Sequence, residues 1–451
     1  MELSKASLKN IDELLELLKN IHSQKEATPD LLIRFQDRYR EILPEERPWF
    51  FEAVIRQFEV GKKDIEKELR LLLADEGKDP VLWGQSLSTL RRKIGSPRIQ
   101  IFRNFLNISG GLNFLLDLRA DVLSAQRQNS FNLEPLDQDI AQLFNLWFQG
   151  GFLFLNEIIL DSPYRQIRYL KEHDLVHPMA SLEEMGSRLG RDRRCFGLYH
   201  RLMPDEPITF IEVALTRGIA TSIHEIIEKQ EAPGMRKKTP DTAIFYSINN
   251  TQNGLAGLGL GKILIFQVVE TLEKSHPGIK TFSTLSPIPG FWERYFKPIL
   301  KGEKVSFQMN QDRLTELFPE KIRQALLESH QAKSGKKADL SPALLEILSD
   351  VRWIDDPDYL EILRKPLTET AYFYLSQEKD RRGKPLNPVA NFHLGNGATI
   401  SLKNVNFAAN RFPRGLTESC GLMVNYIYSQ TWLQQIGRTM KAFLPWQTKI
   451  K

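Results

Sequence analysis

Ala256-Gly257-Leu258-Gly259-Leu260-Gly261-Lys262 follows an apolar run, Ala243-Ile244-Phe245-Tyr246-Ser247-Ile248, and opens a helix-patterned stretch from Ile263 to Glu273. The order is strand, glycine loop, helix. Alternating glycines let the backbone approach a ligand closely, and the first-turn N–H groups of the following helix, which lack intrahelical partners, point at an anion. A pyrophosphate is the natural guest, and a tight turn without a ligand is the competing reading. The two cysteines, Cys195 and Cys420, have no metal-ligand spacing and cannot build a disulfide framework. They read as small apolar residues of a reducing compartment, and no metal site is expected.

The elements that must position this loop change character near residue 150. Before it, apolar residues recur at helical spacing, as in Leu8, Ile11, Leu14, Leu15, Leu18 and Ile21, then Leu31, Ile33, Phe35, Tyr39 and Leu43. Thr28-Pro29-Asp30 reads as a helix start, because proline fits the first turn. Further helices are expected at about 48–60, 62–75, 80–93, 110–128 and 134–149, with turns at Gly77 to Pro80 and at Ser96-Pro97. No repeat of fixed period emerges, so a solenoid is not expected.

After Gly150-Gly151 the texture is mixed. Cys195 to Tyr199 and Ile208 to Leu215 have strand character, joined by the turn-like Pro204-Asp205-Glu206-Pro207, and helical spacing returns from Ile219 to Gln230. Thr281 to Ser286 reads as the strand after the glycine-loop helix. Ser329 to Asp339 reads as an exposed loop, with strand-like residues resuming at Val389 to Phe392 and Ala398 to Phe407. The fold class expected is α+β: a helical bundle over residues 1–150, then a mixed α/β domain over 151–451.

Composition bounds the function. With 41% hydrophobic and 26% charged residues the chain reads as globular, and 451 residues are enough for two or three domains. A net charge of +5 spread over 61 basic and 56 acidic residues implies no nucleic-acid footprint and no membrane partner, but it suits a polyanionic small ligand. No apolar run reaches the roughly 18 residues needed to span a bilayer. Neither a signal core nor a transit pattern follows Met1-Glu2-Leu3-Ser4-Lys5, and Thr448-Lys449-Ile450-Lys451 is no peroxisomal address, so the cytoplasm is expected.

The glycine loop resembles the acyl-CoA pyrophosphate loop of the GNAT acyltransferase superfamily, with Gly259-Leu260-Gly261 at its glycine positions and Ala256 where that pattern has Gln or Arg. Over nearly the whole chain a closer resemblance runs to the malonyl-CoA decarboxylase family. It is carried by Gly110-Gly111-Leu112 to Asp117-Leu118-Arg119-Ala120-Asp121, by Leu285-Ser286-Pro287-Ile288-Pro289-Gly290-Phe291, by Asn387-Pro388-Val389-Ala390-Asn391-Phe392-His393-Leu394, and by the stretch from Arg414-Gly415-Leu416 to Val424-Asn425-Tyr426. The resemblance implies non-oxidative decarboxylation of malonyl-CoA to acetyl-CoA and carbon dioxide by a GNAT-like domain. It also implies a helical domain that assembles homo-oligomers, tetramers among them. The family's catalytic pair falls on Ser286 and His393, and its CoA-contacting loop on Ala256, Gly257, Leu258, Gly259, Leu260, Gly261 and Lys262. A family glutamate in that loop corresponds to Gly259, so no loop carboxylate takes a role here.

Losing carbon dioxide from a malonyl thioester leaves an enolate, whose developing negative charge the protein must stabilise. The thioester carbonyl is itself the electron sink, so neither metal nor cofactor is expected, CoA being part of the substrate. Histidine, with an ordinary pKa of about 6.5, suits protonation of the enolate carbon near neutrality. Ser286 either orients the departing carboxylate or exchanges a proton with His393. Tyr246, Ser247, Asn425 and Tyr428 fit site lining and buried packing equally, while Lys262 and Arg294 read as solvated charges within reach of CoA phosphates. His177 and His200 read as structural. Two rivals share the loop: a GNAT acyltransferase needing an amine acceptor, and an acyl-CoA sensor without turnover. A Ser-His thioesterase is disfavoured, because the surroundings of Ser286 are not Gly-x-Ser-x-Gly.

Overall fold

The structure is a computed structural model that describes residues 4–24, 26–74, 79–128, 131–174, 176, 181–190, 192–227 and 239–429. Two compact units emerge. One comprises Met1–Phe154, His200–Pro204 and Asn250–Leu260, and the other Leu155–Tyr199, Asp205–Asn249 and the chain from Gly261 onward. The glycine-loop residues up to Leu260 therefore cluster with the helices and not with the sheet.

The first unit holds α1 (Lys5–Ser23), α2 (Pro29–Glu41), α3 (Arg47–Gln57), α4 (Lys62–Ala74), α5 (Pro80–Ile94), α6 (Pro97–Phe105), α7 (Gly111–Gln128) and α8 (Glu134–Trp147). Prolines open α2, α3, α5, α6 and α8, where a missing N–H costs nothing. Ser96-Pro97 is thus a helix start: Ser96 is the N-cap of α6, an element for which only a turn was expected. Phe35, Tyr39, Phe50, Phe105 and Phe114 form an aromatic core, with Phe105 and Phe114 centroids 5.1 Å apart. In α2 the buried stripe runs through Leu32, Phe35, Gln36 and Tyr39, so the expected Phe35 and Tyr39 are buried, while Ile33 and, beyond the helix, Leu43 are exposed.

The second unit is built on a seven-stranded sheet ordered β1-β2-β3-β4-β5-β10-β7. Its strands are β1 (Leu153–Ile158), β2 (Arg193–His200), β3 (Met203–Thr216), β4 (Thr242–Asn250), β5 (Thr281–Thr284), β7 (Ala398–Thr399) and β10 (Ile427–Tyr428). A smaller sheet, ordered β6-β9-β8, joins β6 (Ser286–Pro287), β8 (Val405–Asn406) and β9 (Met423–Val424). The turn between β2 and β3 falls at Arg201-Leu202, and Pro204 to Pro207 lie inside β3, at the strand start where proline is tolerated. Around the sheets lie α9 (Tyr164–His173), α10 (Leu182–Arg188), α11 (Ile223–Ile227) and α12 (Leu260–Ser275). The helix expected from Ile219 begins only at Ile223, as α11, and the expected residues 228–230 lie outside those described. Strand β4, the loop, α12 and β5 follow in order, and β4 and β5 pair in parallel from Thr242↔Thr281 to Phe245↔Thr284. This is the strand, loop, helix, strand arrangement that the GNAT resemblance implies.

A π-helix (Phe291–Phe296) leads into α13 (Lys297–Leu300), α14 (Gln311–Leu317), α15 (Glu320–Ser334), α16 (Leu340–Ser349) and α17 (Pro357–Ser376). Ser329 to Ser334, expected as loop, finish α15, which buries His330 and ends at Gly335 in the left-handed conformation (φ 70°). The last helices are α18 (Pro388–Gly395) and α19 (Pro413–Ser419). Val389 to Phe392, expected as strand, are helical because Asn387 caps them: its Oδ1 accepts from the N–H groups of Val389 and Ala390 at 3.0 and 2.9 Å.

Candidate active site

Ser286 opens β6 immediately after β5, and His393 lies in the last turn of α18. Asn387 ties the two segments together, since its Nδ2 donates to the carbonyl of Pro289 at 3.1 Å while its Oδ1 caps α18. The Ser286 Oγ and His393 Nε2 are 3.3 Å apart, and both residues are buried. The expected pair is therefore in contact.

One proton arrangement satisfies the whole chain of partners. Tyr428 Oη donates to His393 Nδ1 at 2.9 Å, His393 Nε2–H donates to Ser286 Oγ, and Ser286 Oγ–H donates to Thr284 Oγ1 at 3.0 Å. Thr284 is held in turn. Its Oγ1 accepts from the Tyr426 N–H at 3.1 Å, its N–H donates to the Tyr426 carbonyl at 2.9 Å, and its carbonyl accepts from Asn425 Nδ2 at 2.5 Å. Asn425 also reaches the carbonyl of Ala220 and accepts from Asn406. Of the four residues that fitted lining or packing, Tyr428 touches His393 and Asn425 braces Thr284. Tyr246 and Ser247 lie elsewhere, beside Glu212 and Asp174, in a buried cluster with Arg188.

Burial alone lowers the His393 pKa to about 3, and it pushes the phenols of Tyr426 and Tyr428 far up. The imidazole is therefore neutral at physiological pH. That corrects the expectation of an ordinary histidine titrating near neutrality: among the described residues no carboxylate stabilises an imidazolium. The Tyr426 ring stacks on the imidazole, centroids 4.6 Å apart at 24°, and the Phe392 ring meets it edge-on at 5.0 Å. Sequence reasoning passed over Thr284, Asn387 and Tyr426 as parts of this site. The signal for Tyr426 was its spacing from Tyr428, which in extended chain turns both side chains to one face.

In the first unit, helix α7 fixes the glycine loop. Arg119 donates through Nη1 to the carbonyls of Gly254 and Ala256, at 2.5 and 3.1 Å, and through Nε to Asp137 at 2.7 Å. A Cβ on Gly254 would sit 2.1 Å from the Leu116 carbonyl oxygen, so only glycine permits this approach. Gly257 and Gly259 adopt left-handed φ of 81° and 70° with open space around them, while Ala256 is exposed and Leu258 half-buried. Leu260 begins α12, where first-turn N–H groups are free of helix partners, and Lys262 is exposed. In the second unit, Gly261 faces the Phe392 ring, 2.3 Å from where its Cβ would be, so its own neighbour accounts for the glycine. Arg294 is exposed and covers Gly290.

His200 is structural as expected, bonded to the Trp147 carbonyl and the Leu202 N–H; His177 lies outside the described residues. Among the described residues no group of three His, Cys, Asp or Glu side chains is placed to hold a metal ion, and both cysteines are buried thiols.

The second unit thus carries a buried, neutral Ser-His pair, and a glycine loop stands in the chain between β4 and α12, the parts expected of an acyl-CoA enzyme. Residues 151–445 match the model of the malonyl-CoA decarboxylase C-terminal domain, and residues 58–148 that of the N-terminal domain. The malonyl-CoA decarboxylase of Anser anser anser, named as mitochondrial, is 36% identical over 356 residues, covering 77% of this chain and 67% of that protein. The mitochondrial enzyme of Mus musculus is 34% identical over 380 residues, covering 83% and 73%. Among solved structures, malonyl-CoA decarboxylase from Rhodopseudomonas palustris superposes with a TM-score of 0.76 at 30% identity, over 98% of this chain and 97% of that one. The Agrobacterium vitis structure gives 0.74 at 28%, over 97% of each. The chain belongs to the malonyl-CoA decarboxylase family.

Proposed function

We propose that this protein decarboxylates malonyl-CoA to acetyl-CoA and carbon dioxide at Ser286 and His393. The observation that carries the reading is the 3.3 Å contact of these side chains in a neutral, buried setting, within a chain of this family. The bond between the carboxylate and the α-carbon breaks, its electrons pass to the thioester oxygen, and carbon dioxide leaves. The enolate carbon then takes the Ser286 hydroxyl proton, the neutral imidazole passes its Nε2 proton to the serine oxygen as Nδ1 takes the proton of Tyr428, and water restores the phenol, so one solvent proton balances the step. The thioester is the electron sink, so the reaction as proposed calls on no metal or further cofactor. Ala256 to Lys262 receive the pyrophosphate of CoA through backbone N–H groups.

The helical unit assembles homo-oligomers in this reading, tetramers being the resemblance's expectation. Ile65, Leu69, Leu71 and Leu73 of α4 and Val81 and Leu82 of α5 stand exposed and favour that role. Among the described residues no helix is long and apolar enough to cross a membrane. The cytoplasmic placement rests on the sequence reading, whereas the vertebrate relatives are named mitochondrial.

Incubation with malonyl-CoA, following carbon dioxide and both thioester products, tests the function. Acetyl-CoA formed without an acceptor supports decarboxylation. Free CoA that appears only with an amine identifies an acyltransferase, and tight binding without turnover identifies a sensor.

A further inference from the structure

Tyr426 is fully buried, yet its hydroxyl meets no hydrogen-bond partner among the described residues. Leaving a buried hydroxyl unpaired costs about 1–3 kcal/mol, so such a group in a native protein calls for an explanation. Its neighbours are all paired: Tyr428 with His393, His393 with Ser286, Ser286 with Thr284. Nor can Tyr426 drift to find a partner. Its N–H and its carbonyl both bond Thr284, at 3.1 and 2.9 Å, and its ring lies stacked on the imidazole of His393. A preorganised, uncharged O–H donor is thus held against the proton-transfer pair with its hydrogen uncommitted.

The chemistry lacks one component that this group supplies. When the carboxylate departs, negative charge grows on the thioester oxygen, and a fixed donor aimed there stabilises the transition state more than the ground state. Ser286 and His393 are committed to each other and to the carbon that is protonated. We propose that Tyr426 is a catalytic residue whose hydroxyl donates a hydrogen bond to the thioester oxygen as the enolate forms. This rests on the decarboxylase reading. The hydroxyl keeps its proton throughout: the carbon–carbon bond breaks, the oxygen takes the charge, and the proton that ends on carbon comes through Ser286 and His393.

Tyr426→Phe isolates the idea, because phenylalanine keeps the ring, its stacking on His393 and both backbone bonds, and removes only the hydroxyl. With malonyl-CoA, kcat is expected to fall about 100- to 1000-fold, the usual cost of removing one oxyanion donor, with acetyl-CoA affinity within about twofold of wild type. The melting temperature should stay level or rise, since the variant no longer buries an unpaired hydroxyl. A kcat within threefold of wild type overturns the proposal. A fall in kcat accompanied by a lower melting temperature also overturns it, by showing that the hydroxyl supports the fold. If the wild-type protein itself releases no acetyl-CoA from malonyl-CoA, the decarboxylase reading fails first, and the comparison of variants is not reached.

Discussion

Gly261→Ala is a one-carbon change whose effect can be worked out from the packing. The new Cβ would lie 2.3 Å from both Cε2 and Cζ of Phe392, where ordinary contact begins at 3.4 Å, so the ring must recoil by about 1 Å. The helix itself should survive, because alanine is favoured over glycine in a helix by about 1 kcal/mol. Phe392 precedes His393 and meets its imidazole edge-on, so the recoil is passed to the contact between His393 and Ser286. A misplacement of about 1 Å costs an enzyme up to about 100-fold, and we expect kcat to drop about 10- to 100-fold, or roughly 1.4–2.7 kcal/mol. Steady-state decarboxylation measured on Gly261→Ala, Phe392→Leu and the double variant tests the route. Phe392→Leu shortens the obstructing side chain and should restore most of the loss when combined with Gly261→Ala. Wild-type turnover in Gly261→Ala, or a double variant no better than the single one, would refute the coupling.

His393→Ala should lower kcat by at least about 100-fold while leaving CoA affinity near wild type, read by steady-state kinetics and calorimetry. Gly259→Val should weaken acetyl-CoA and malonyl-CoA alike, because the left-handed φ of 70° excludes a β-branched residue and the lost contact is to their shared handle; unequal losses in calorimetry would count against a pyrophosphate loop. Below about pH 6.5 the unfolded chain takes up a proton that buried His393, with its pKa near 3, refuses, so stability falls with pH; at pH 5 the loss is about 2 kcal/mol. Glu212, raised to about 8 by burial, acts in the opposite direction, so the His393 part is the difference between wild type and His393→Gln in denaturant titrations at pH 7.5 and 5. Replacing Leu69 and Leu73 of α4 with aspartate should reduce the number of chains per particle in light scattering while kinetics persist; an unchanged mass would place assembly elsewhere.

The parts of the site legible in the sequence were those set by local pattern. The glycine loop stands between a strand and a helix as its spacing implies, and Ser286 and His393, paired through the family resemblance, do touch. What escaped depended on contacts distant in sequence. Asn387-Pro388 reads locally as a break before a strand, but the asparagine caps a helix and grips Pro289, 98 residues away. Gly261 reads as loop freedom, whereas a ring from α18 presses on it. The neutrality of His393 arises from burial among tyrosines and a threonine that come together only in the fold. Tyr246 and Ser247, apolar-strand residues next to the loop, were drawn instead into the cluster of Asp174, Arg188 and Glu212. Ser329 to Ser334 failed for the opposite reason: their polar composition masked a helix whose buried contact is a single histidine, His330.

The grip of Arg119 on the carbonyls of Gly254 and Ala256 spans 135 and 137 residues of chain. A ribosome adding about 5–20 residues per second needs roughly 7–27 s to cross that interval. For that time the newly made helices hold a guanidinium with Asp137 as its partner and a slot beside Leu116 shaped for a glycine not yet synthesised. The amino-terminal third of the molecule therefore cannot finish maturing when its own last helix emerges. Its completion is timed by the arrival of the glycine-loop segment, which therefore also serves as the closing piece of a unit begun more than two hundred residues earlier.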